Sequence, residues 1–320
     1  MPKVSVITPI YRTEKDLDKC LKSLVAQTLP EIEFLWIDNG ASDECRQIIQ
    51  KYADKRKGIR VITLKENIGY CGAMNKGLSL ATGEYIGFCD SDDYIDADYY
   101  EKLYKKAHET DSEIVYCGLI LEYENNSLKK ELLQKDEDTN SLFDHLLHGS
   151  IWNGLFNKLF LQKNSITLSQ NKTSIYRDNT LSIPAVLKAK KTAIVKDVFY
   201  HYVQHKKSTI SGLNKRTIVE QTYQTLEEIF QKIGSENLDD SFIKFLFRTL
   251  PILNLKNFPK EMKKLQDTEI WKRQYSNVQA FSNPTWRQRL FSVSRHLTKP
   301  LIKIRFLGIS FKIKKKEKKS

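Results

Sequence analysis

The chain has 320 residues, 40% of them apolar and 28% charged, enough for one large domain or two smaller ones at roughly 100–200 residues per domain. Thirteen Gly, eight Pro and an aromatic content of 11% exclude a collagenous or low-complexity chain and argue against wholesale disorder. The net charge of +13 is concentrated at one end: Trp286–Ser320 holds twelve of the 52 Lys/Arg and one of the 39 acidic residues, +11 in all, which leaves a nearly neutral remainder and argues against a nucleic-acid-binding body.

From its first residues the chain runs into a strand-like segment, Val4–Thr8, stopped by Pro9. It lacks the roughly 7–15-residue apolar stretch of a signal peptide and any apolar run of ~18 residues, so a cytoplasmic protein is expected. Leu17, Cys20, Leu21 and Leu24 recur on one helical face. Ile32–Ile37 is a second strand, and Ser42–Tyr52 a helix capped by Ser42 or Asp43. Ile59–Leu64 is a third strand, Ala73–Leu80 a helix and Tyr85–Cys89 a fourth strand. A helix over Ala97–His108 and a strand over Glu113–Ile120 follow. The cysteines (Cys20, Cys45, Cys71, Cys89, Cys117) are odd in number and lack a C-x-x-C pair, so they are expected reduced, not as a disulfide framework or zinc site.

Strands alternating with helices imply βαβ units on a parallel sheet, whose ligands bind beyond the carboxyl ends of the strands. Polar residues gather at those ends: Pro9 and Tyr11, Asp38, Asn67, then Asp90 and Asp92. No G-x-G-x-x-G follows the first strand and no G-x-x-x-x-G-K-[ST] occurs, so neither a dinucleotide site nor a P-loop is expected. Asp90-Ser91-Asp92 offers two hard oxygen donors suited to Mg²⁺ or Mn²⁺, which would neutralise a diphosphate leaving group. The competing reading makes Asp92, Asp93 or Asp96 the N-cap of the next helix.

Val4–Tyr11 (V-S-V-I-T-P-I-Y), Gln27–Glu33 (Q-T-L-P-E-I-E), Asp38–Asp43 (D-N-G-A-S-D), Asn67-Ile68-Gly69, Asn75-Lys76-Gly77 and Asp90-Ser91-Asp92-Asp93 together resemble the family 2 glycosyltransferases with the GT-A fold. These enzymes move a sugar from a nucleotide-sugar, commonly a UDP-sugar, to an acceptor hydroxyl with inversion. The resemblance covers residues 3–120 in order and spacing. It continues loosely to about residue 210 through Ile151-Trp152-Asn153, Lys158-Leu159-Phe160, Ile175–Asp178 and Phe199–Tyr202. Phe306–Lys314 is similar to the tails of surface-polysaccharide transferases of Gram-negative bacteria.

The resemblance implies an α/β fold, GT-A, with a Rossmann-like, mostly parallel sheet and flanking helices. Residues 1–212 would form the catalytic domain, with a nucleotide half (1–120) and an acceptor half (121–212). A helical appendage (213–285) and a basic amphipathic tail (286–320) would follow. Carried over by position, Asp38 would hydrogen-bond the uracil, and Thr8, Pro9 and Tyr11 would line the base pocket. Asn67 and Asn75 would lie near the nucleotide and donor sugar. Asp90 would contact ribose or the metal shell, Asp92 would bind Mn²⁺ or Mg²⁺ and the diphosphate, and Asp178 would be the catalytic base. Arg177 beside it should keep Asp178 ionised; the competing reading makes Asp178 a cap of the helix over Leu181–Leu187. Three positions depart from the family pattern: Asn39 replaces a second Asp, Met74 an Arg, and Arg177 the Glu before the base.

Trp152 is expected to pack in the core, the alternative being a stack on an acceptor sugar, and His201, in a strand-like run, to be structural; His205, Lys206 and Lys207 are candidates for diphosphate contact. From Lys215 to Leu265 the pattern is helical, including Phe242–Leu250, and the tail interleaves apolar residues with Lys/Arg. That mixture reads as a peripheral anchor on an anionic leaflet, Pro300 breaking any continuous helix; the alternative is a packing segment with a solvated polylysine end. The Q-x-x-R-W motif and membrane helices of processive family members are missing. The expected protein is therefore a single-sugar transferase for a glycan or lipid-linked acceptor, peripheral on the inner membrane face, without nucleic acid as a partner. The rivals are a sugar-nucleotide pyrophosphorylase, disfavoured by Pro9-Ile10-Tyr11-Arg12 after the first strand, and a catalytically impaired nucleotide-sugar-binding or scaffold protein.

Overall fold

The computed structural model describes residues 1–123, 130–132, 150–171 and 175–205, scattered positions between 217 and 233, and the backbone of 301–306 and 309–314. Two compact units divide the chain at Met262/Lys263.

In chain order the first unit contains β1 (Val4–Ile10), α1 (Leu17–Val25), β2 (Ile32–Asp38), α2 (Asp43–Ala53), β3 (Ile59–Thr63), α3 (Tyr70–Leu80), β4 (Tyr85–Phe88) and β5 (Tyr94–Ile95). It continues with α4 (Tyr99–Thr110), β6 (Ile114–Tyr123), β7 (Lys130–Leu132), β8 (Gly154–Asn157), α5 (Lys158–Lys163), α6 (Asn179–Lys188) and β9 (Thr192–Gln204). The sheet order is β3-β2-β1-β4-β8-β6-β9-β5, with β7 on β6. β3, β2, β1 and β4 are mutually parallel, β8 is inserted antiparallel, and β6 and β9 are again parallel to each other. Two antiparallel steps, β4–β8 and β8–β6, return β6 and β9 to the direction of β1. Six strands therefore send their carboxyl ends to one edge.

The local reasons are legible in the residues. Strands β1, β2 and β4 are buried along their whole length, as expected of parallel strands covered on both faces. The α1 face predicted from spacing is the buried one, Leu17, Cys20, Leu21 and Leu24, each leucine contributing about 1.5–3 kcal/mol over an exposed position. Ser42 caps α2 by accepting the Cys45 N–H at 3.2 Å. All five cysteines are buried free thiols.

Several boundaries differ from the sequence reading. Strand β1 does not stop at Pro9 but runs to Ile10, pairing Pro9 with Ile37. Ile7 C=O faces β4 (Cys89 N, 3.1 Å) and Ile10 C=O faces β2 (Asn39 N, 3.0 Å). By alternation the N–H that proline lacks falls on the β4 side, past the last β1–β4 pair at Ile7 and Phe88, so no ladder bond is lost. Helix α3 begins at Tyr70, three residues before the predicted start, because Gly69 at φ 82° turns the chain out of the Asn67 loop into the helix. Helix α4 begins at Tyr99, and none of Asp92, Asp93 and Asp96 caps it: the cap position is Asp98, with no side-chain hydrogen bond.

Helix α6 tolerates Pro184 because the Thr180 C=O that loses its helical partner takes the Lys232 ammonium at 3.2 Å. The described positions between 217 and 233 are helical. The expected helix over 242–250, and Lys206 and Lys207, lie outside the described residues. The second unit shows one antiparallel pair, β10 (Leu301–Phe306) and β11 (Ile309–Lys314). Among the described residues no helix is long and apolar enough to cross a membrane.

Candidate active site

Because β1–β4 are parallel, the loops after β2, β3 and β4 meet at one edge, and their side chains interlock there. The Asn39 amide donates to Asn67 Oδ1 (3.1 Å) and to the Gly69 C=O (3.2 Å), and its oxygen accepts the Ile68 N–H at 2.9 Å. An aspartate could accept from Ile68 but could not donate to Gly69, so the asparagine suits this loop junction. Asn67 Oδ1 also accepts the Gly69 N–H at 2.7 Å. Together these bonds deliver Tyr70 at the start of α3, and its hydroxyl donates to Asp90 Oδ1 at 2.9 Å.

Oxygens of Asp90, Asp92 and Asp93 lie within 4.8 Å of one another. The run is held from two directions. From α1, Cys20 Sγ donates to the Asp90 C=O (3.5 Å), and Thr13, just ahead of the helix, donates to Ser91 Oγ (3.1 Å). From β9, the Tyr200 hydroxyl accepts the Asp90 N–H at 3.0 Å and donates to Asp93 Oδ2 at 2.8 Å, while the Val203 N–H donates to Asp93 Oδ1 at 2.8 Å. Both Asp93 oxygens are thus occupied, whereas Asp90 and Asp92 are half-buried. Just past β9, His205 Nε2 lies 3.8 Å from Asp92 Oδ2 and 3.7 Å from Asp16 Oδ2, buried and without a hydrogen-bond partner.

Burial pushes the Asp90 carboxyl well above its ordinary value, and the facing Asp178 and Asp92 add to it. Asp93 is raised in the same way by burial, then by Asp92 and Asp90. Burial also raises Asp92, against an opposing pull from its own backbone N–H and from His205. Burial raises Asp178 to about 6, with Arg177 and a hydrogen bond from Tyr70 pulling it down. The Arg177 guanidinium stacks over the Tyr70 ring at 4.8 Å. The Tyr70 hydroxyl donates to Asp90 with the Asp178 charge close by, and desolvation keeps that tyrosine protonated as a donor.

Four converging carboxylates raised by burial form a site short of positive charge. Hard oxygen donors this close fit a divalent cation held by Asp90 and Asp92, with the His205 imidazole beside Asp92.

The other predicted residues fall on or near the same edge. Asp38 is 2% exposed; its Oδ1 accepts the Ala41 N–H (2.7 Å) and its Oδ2 the Arg46 Nε–H (2.9 Å). Thr8 is fully buried with an unpartnered hydroxyl, Pro9 is buried and Tyr11 half-buried. Asn75 spends its amide on the chain after α5, accepting the Leu168 N–H (3.0 Å) and donating to the Leu168 C=O (3.2 Å), and so ties α3 to the segment that follows α5. Met74 is fully buried. Asp178 occupies the cap position of α6 without a side-chain capping bond, so its carboxylate is not consumed there. Trp152 packs, 7% exposed, stacked on Tyr200 (4.5 Å) and Tyr202 (5.2 Å). His201 is structural: Nε2 meets Asp96 at 2.8 Å and Nδ1 meets Glu122 at 3.4 Å.

Residues 5–168 match the model of glycosyl transferase family 2. The chain belongs to that family. The cholesterol galactosyltransferase of Borreliella burgdorferi is 30% identical over 265 residues, 77% of this chain and 72% of that protein. The glycosyltransferase EpsH of Bacillus subtilis is 29% identical over 67% of this chain and 64% of its own length. The poly(ribitol-phosphate) beta-glucosyltransferase of Bacillus spizizenii is 28% identical over 86% of this chain, which spans 44% of that protein. Among solved structures, S. aureus TarS 1-349 in complex with UDP-GlcNAc superposes with a TM-score of 0.65 at 22% identity, over 84% of this chain and 78% of that one. The mannosyltransferase PcManGT from Pyrobaculum calidifontis, in complex with GDP-Man and Mn²⁺, gives 0.57 at 16%, over 93% of this chain and 81% of that one. The fold of this family 2 glycosyltransferase is GT-A.

Sequence reasoning missed Tyr70, Tyr200, the Val203 N–H and the placement of His205 against Asp92. Asp93 was visible as a third acid beside the D-x-D. Tyr200 carried no comparable signal, since only the β9 pairing brings it to the acidic run from 107 residues away.

Proposed function

We propose that the protein is an inverting, Mn²⁺- or Mg²⁺-dependent glycosyltransferase. It would move one hexose or N-acetylhexosamine from a nucleotide-sugar, UDP-linked, to a hydroxyl of a glycan or glycolipid acceptor in cell-surface polysaccharide or lipooligosaccharide synthesis. The observation that carries this reading is the convergence of Asp90, Asp92 and Asp93 at one sheet edge, with the Asp178 charge facing Asp90 and Tyr70 hydrogen-bonded to it.

In this reading the carboxylates of Asp90 and Asp92 would hold the cation, with His205 beside Asp92. The cation supplies charge to offset that developing on the leaving diphosphate. Asp178 takes the acceptor hydroxyl proton as that oxygen attacks the anomeric carbon in line with the departing diphosphate. With its carboxyl near 6, Asp178 is mostly ionised at pH 7 yet basic enough to accept that proton, the compromise general-base catalysis favours. Thr8, Pro9, Tyr11 and Asp38 would bound the base pocket, and Asn67 would shape the loop over the nucleotide.

The scaffold reading draws nothing further from Asn39, Met74 and Arg177. The first builds the loop junction, the second is core, and the third stacks on Tyr70 beside the base. The charge of residues 286–320 supports attachment to an anionic membrane on its cytoplasmic face.

The test is UDP release from a panel of UDP-hexoses and UDP-N-acetylhexosamines, with Mn²⁺ and with EDTA, for wild type and Asp92→Ala. Metal-dependent release from one donor, lost in the variant, supports the reading. Tight UDP binding with no release under any acceptor would favour the scaffold instead.

A further inference from the structure

The second unit carries more order than its composition suggests. In the antiparallel β10–β11 pair, Ile302 lies opposite Ile313, Ile304 opposite Phe311 and Phe306 opposite Ile309. Directly opposed residues share a face of the ribbon, and neighbours along a strand alternate between faces. One face therefore consists wholly of Ile302, Ile304, Phe306, Ile309, Phe311 and Ile313. The other pairs Leu301 with Lys314, Lys303 with Lys312 and Arg305 with Ser310. The alternation continues through both strands across the Leu307-Gly308 connection.

A two-stranded ribbon is marginal on its own in water, and six large apolar residues on one face need a cover. No Asp or Glu occurs from Leu301 to Lys316, while Lys303, Arg305, Lys312, Lys314, Lys315 and Lys316 do. An ordinary protein cover would satisfy the apolar face and leave the six cations to solvent. A polyanion such as nucleic acid would satisfy the cations and leave the apolar face wet. An anionic lipid interface satisfies both, with acyl chains beneath one face and headgroups around the cations.

Strands of six residues extend about 20 Å, at ~3.3 Å per residue, short of the ~30 Å hydrocarbon core. The ribbon's open edges also demand polar surroundings. It can lie in the interface but cannot cross it.

We propose that the β10–β11 hairpin is a monotopic docking element that lays its Ile/Phe face into an anionic leaflet. This rests on the membrane attachment proposed above and replaces a diffuse basic anchor with a defined β-ribbon.

The experiment is co-sedimentation of the full chain with vesicles of phosphatidylcholine alone and with 30% phosphatidylglycerol, titrated with NaCl. Wild type is compared with Ile304→Thr/Phe311→Thr, which keeps charge and strand propensity, and with Lys303→Gln/Lys312→Gln. UDP release and size-exclusion elution monitor folding and association. The expected result is binding to the anionic vesicles, lowered at least tenfold by the Thr pair and only a few-fold by the Gln pair. Equal binding by the Thr pair, with binding lost to salt, would overturn the hairpin and leave a purely electrostatic attachment standing. A Thr pair that binds vesicles like wild type but elutes as a smaller species would place a second copy on the face and also overturn the inference. Failure of wild type to bind either vesicle would overturn both.

Discussion

The Tyr200 hydroxyl accepts the Asp90 N–H at 3.0 Å and donates to Asp93 Oδ2 at 2.8 Å. One side chain on β9 thereby sets the spacing of the acidic run that follows β4. Tyr200 is fully buried, so neither bond is exchanged with water.

Tyr200→Phe keeps the ring stacked on Trp152 and removes both bonds. Leaving a buried carboxylate oxygen and N–H unsatisfied is expected to cost about 1–3 kcal/mol of stability. Loss of a group that fixes the backbone of the ligand Asp90 is expected to weaken divalent-ion affinity by roughly 10–100-fold. A melting curve and a Mn²⁺ titration check the two effects separately.

Because burial raises Asp90, Asp92 and Asp93, with neighbouring carboxylates adding to it at each, a bound cation should relieve them. Mn²⁺ or Mg²⁺ should raise the melting temperature at pH 7, by about 2.7 kcal/mol of stabilisation at 100 times its Kd. Asp92→Asn should abolish that shift and the UDP release with it. An unchanged shift in the variant would remove Asp92 from the metal site.

Asp178, raised to about 6, gives kcat/KM an acid limb near that pH, with activity rising as the carboxylate ionises. Arg177 lowers this value, so Arg177→Met should move the limb upward. Asp178→Asn should reduce turnover by roughly 10²–10⁴-fold. The stability effect has the opposite sense: a carboxyl raised in the folded state contributes stability below its unfolded pKa, lost as pH rises through about 6. At pH 8 without metal, Asp178→Asn should therefore melt no lower than wild type.

Glu33 is buried between strands and accepts from Ser5 Oγ (2.5 Å), the Thr82 N–H (3.0 Å) and Arg60 (2.7 Å). Burial alone would push its carboxyl up, but these bonds hold it below its usual range. Its contribution is present above the unfolded pKa and lost as pH falls through the lowered folded value. Glu33→Ala should cost about 2–3 kcal/mol at pH 7, discounted because Arg60 is half exposed, and the deficit should shrink in acid. Chemical denaturation at pH 7 and pH 3.5 measures both.

The elements were legible because they rest on local periodicity. Leu17, Cys20, Leu21 and Leu24 mark a helix face within eight residues, and Ile32–Ile37 marks a strand without reference to anything distant. The edge was legible as well, since parallel strands must end together, and so Asp38, Asn67, Asp90 and Asp92 fall at one edge from their positions after strands. The sequence by itself also determined the family and where the charge lies.

What only the tertiary structure decided is which partner each polar group has. Tyr70 reaches Asp90 because Asn39 and Gly69 turn the chain into α3 early. Tyr200 and His205 reach the acidic run because β9 lies parallel to β6, across a register shift at Cys117/Gly118. Asn75, expected at the nucleotide, is instead spent on Leu168. In the tail the alternation of Ile302 to Phe306 and Ile309 to Ile313 was present in the letters, but its two faces appear only once Ile304 is set opposite Phe311. Periodicity is a property of neighbours along the chain. Hydrogen-bond pairing and facial segregation depend on strand register, which residues far apart in the chain determine together.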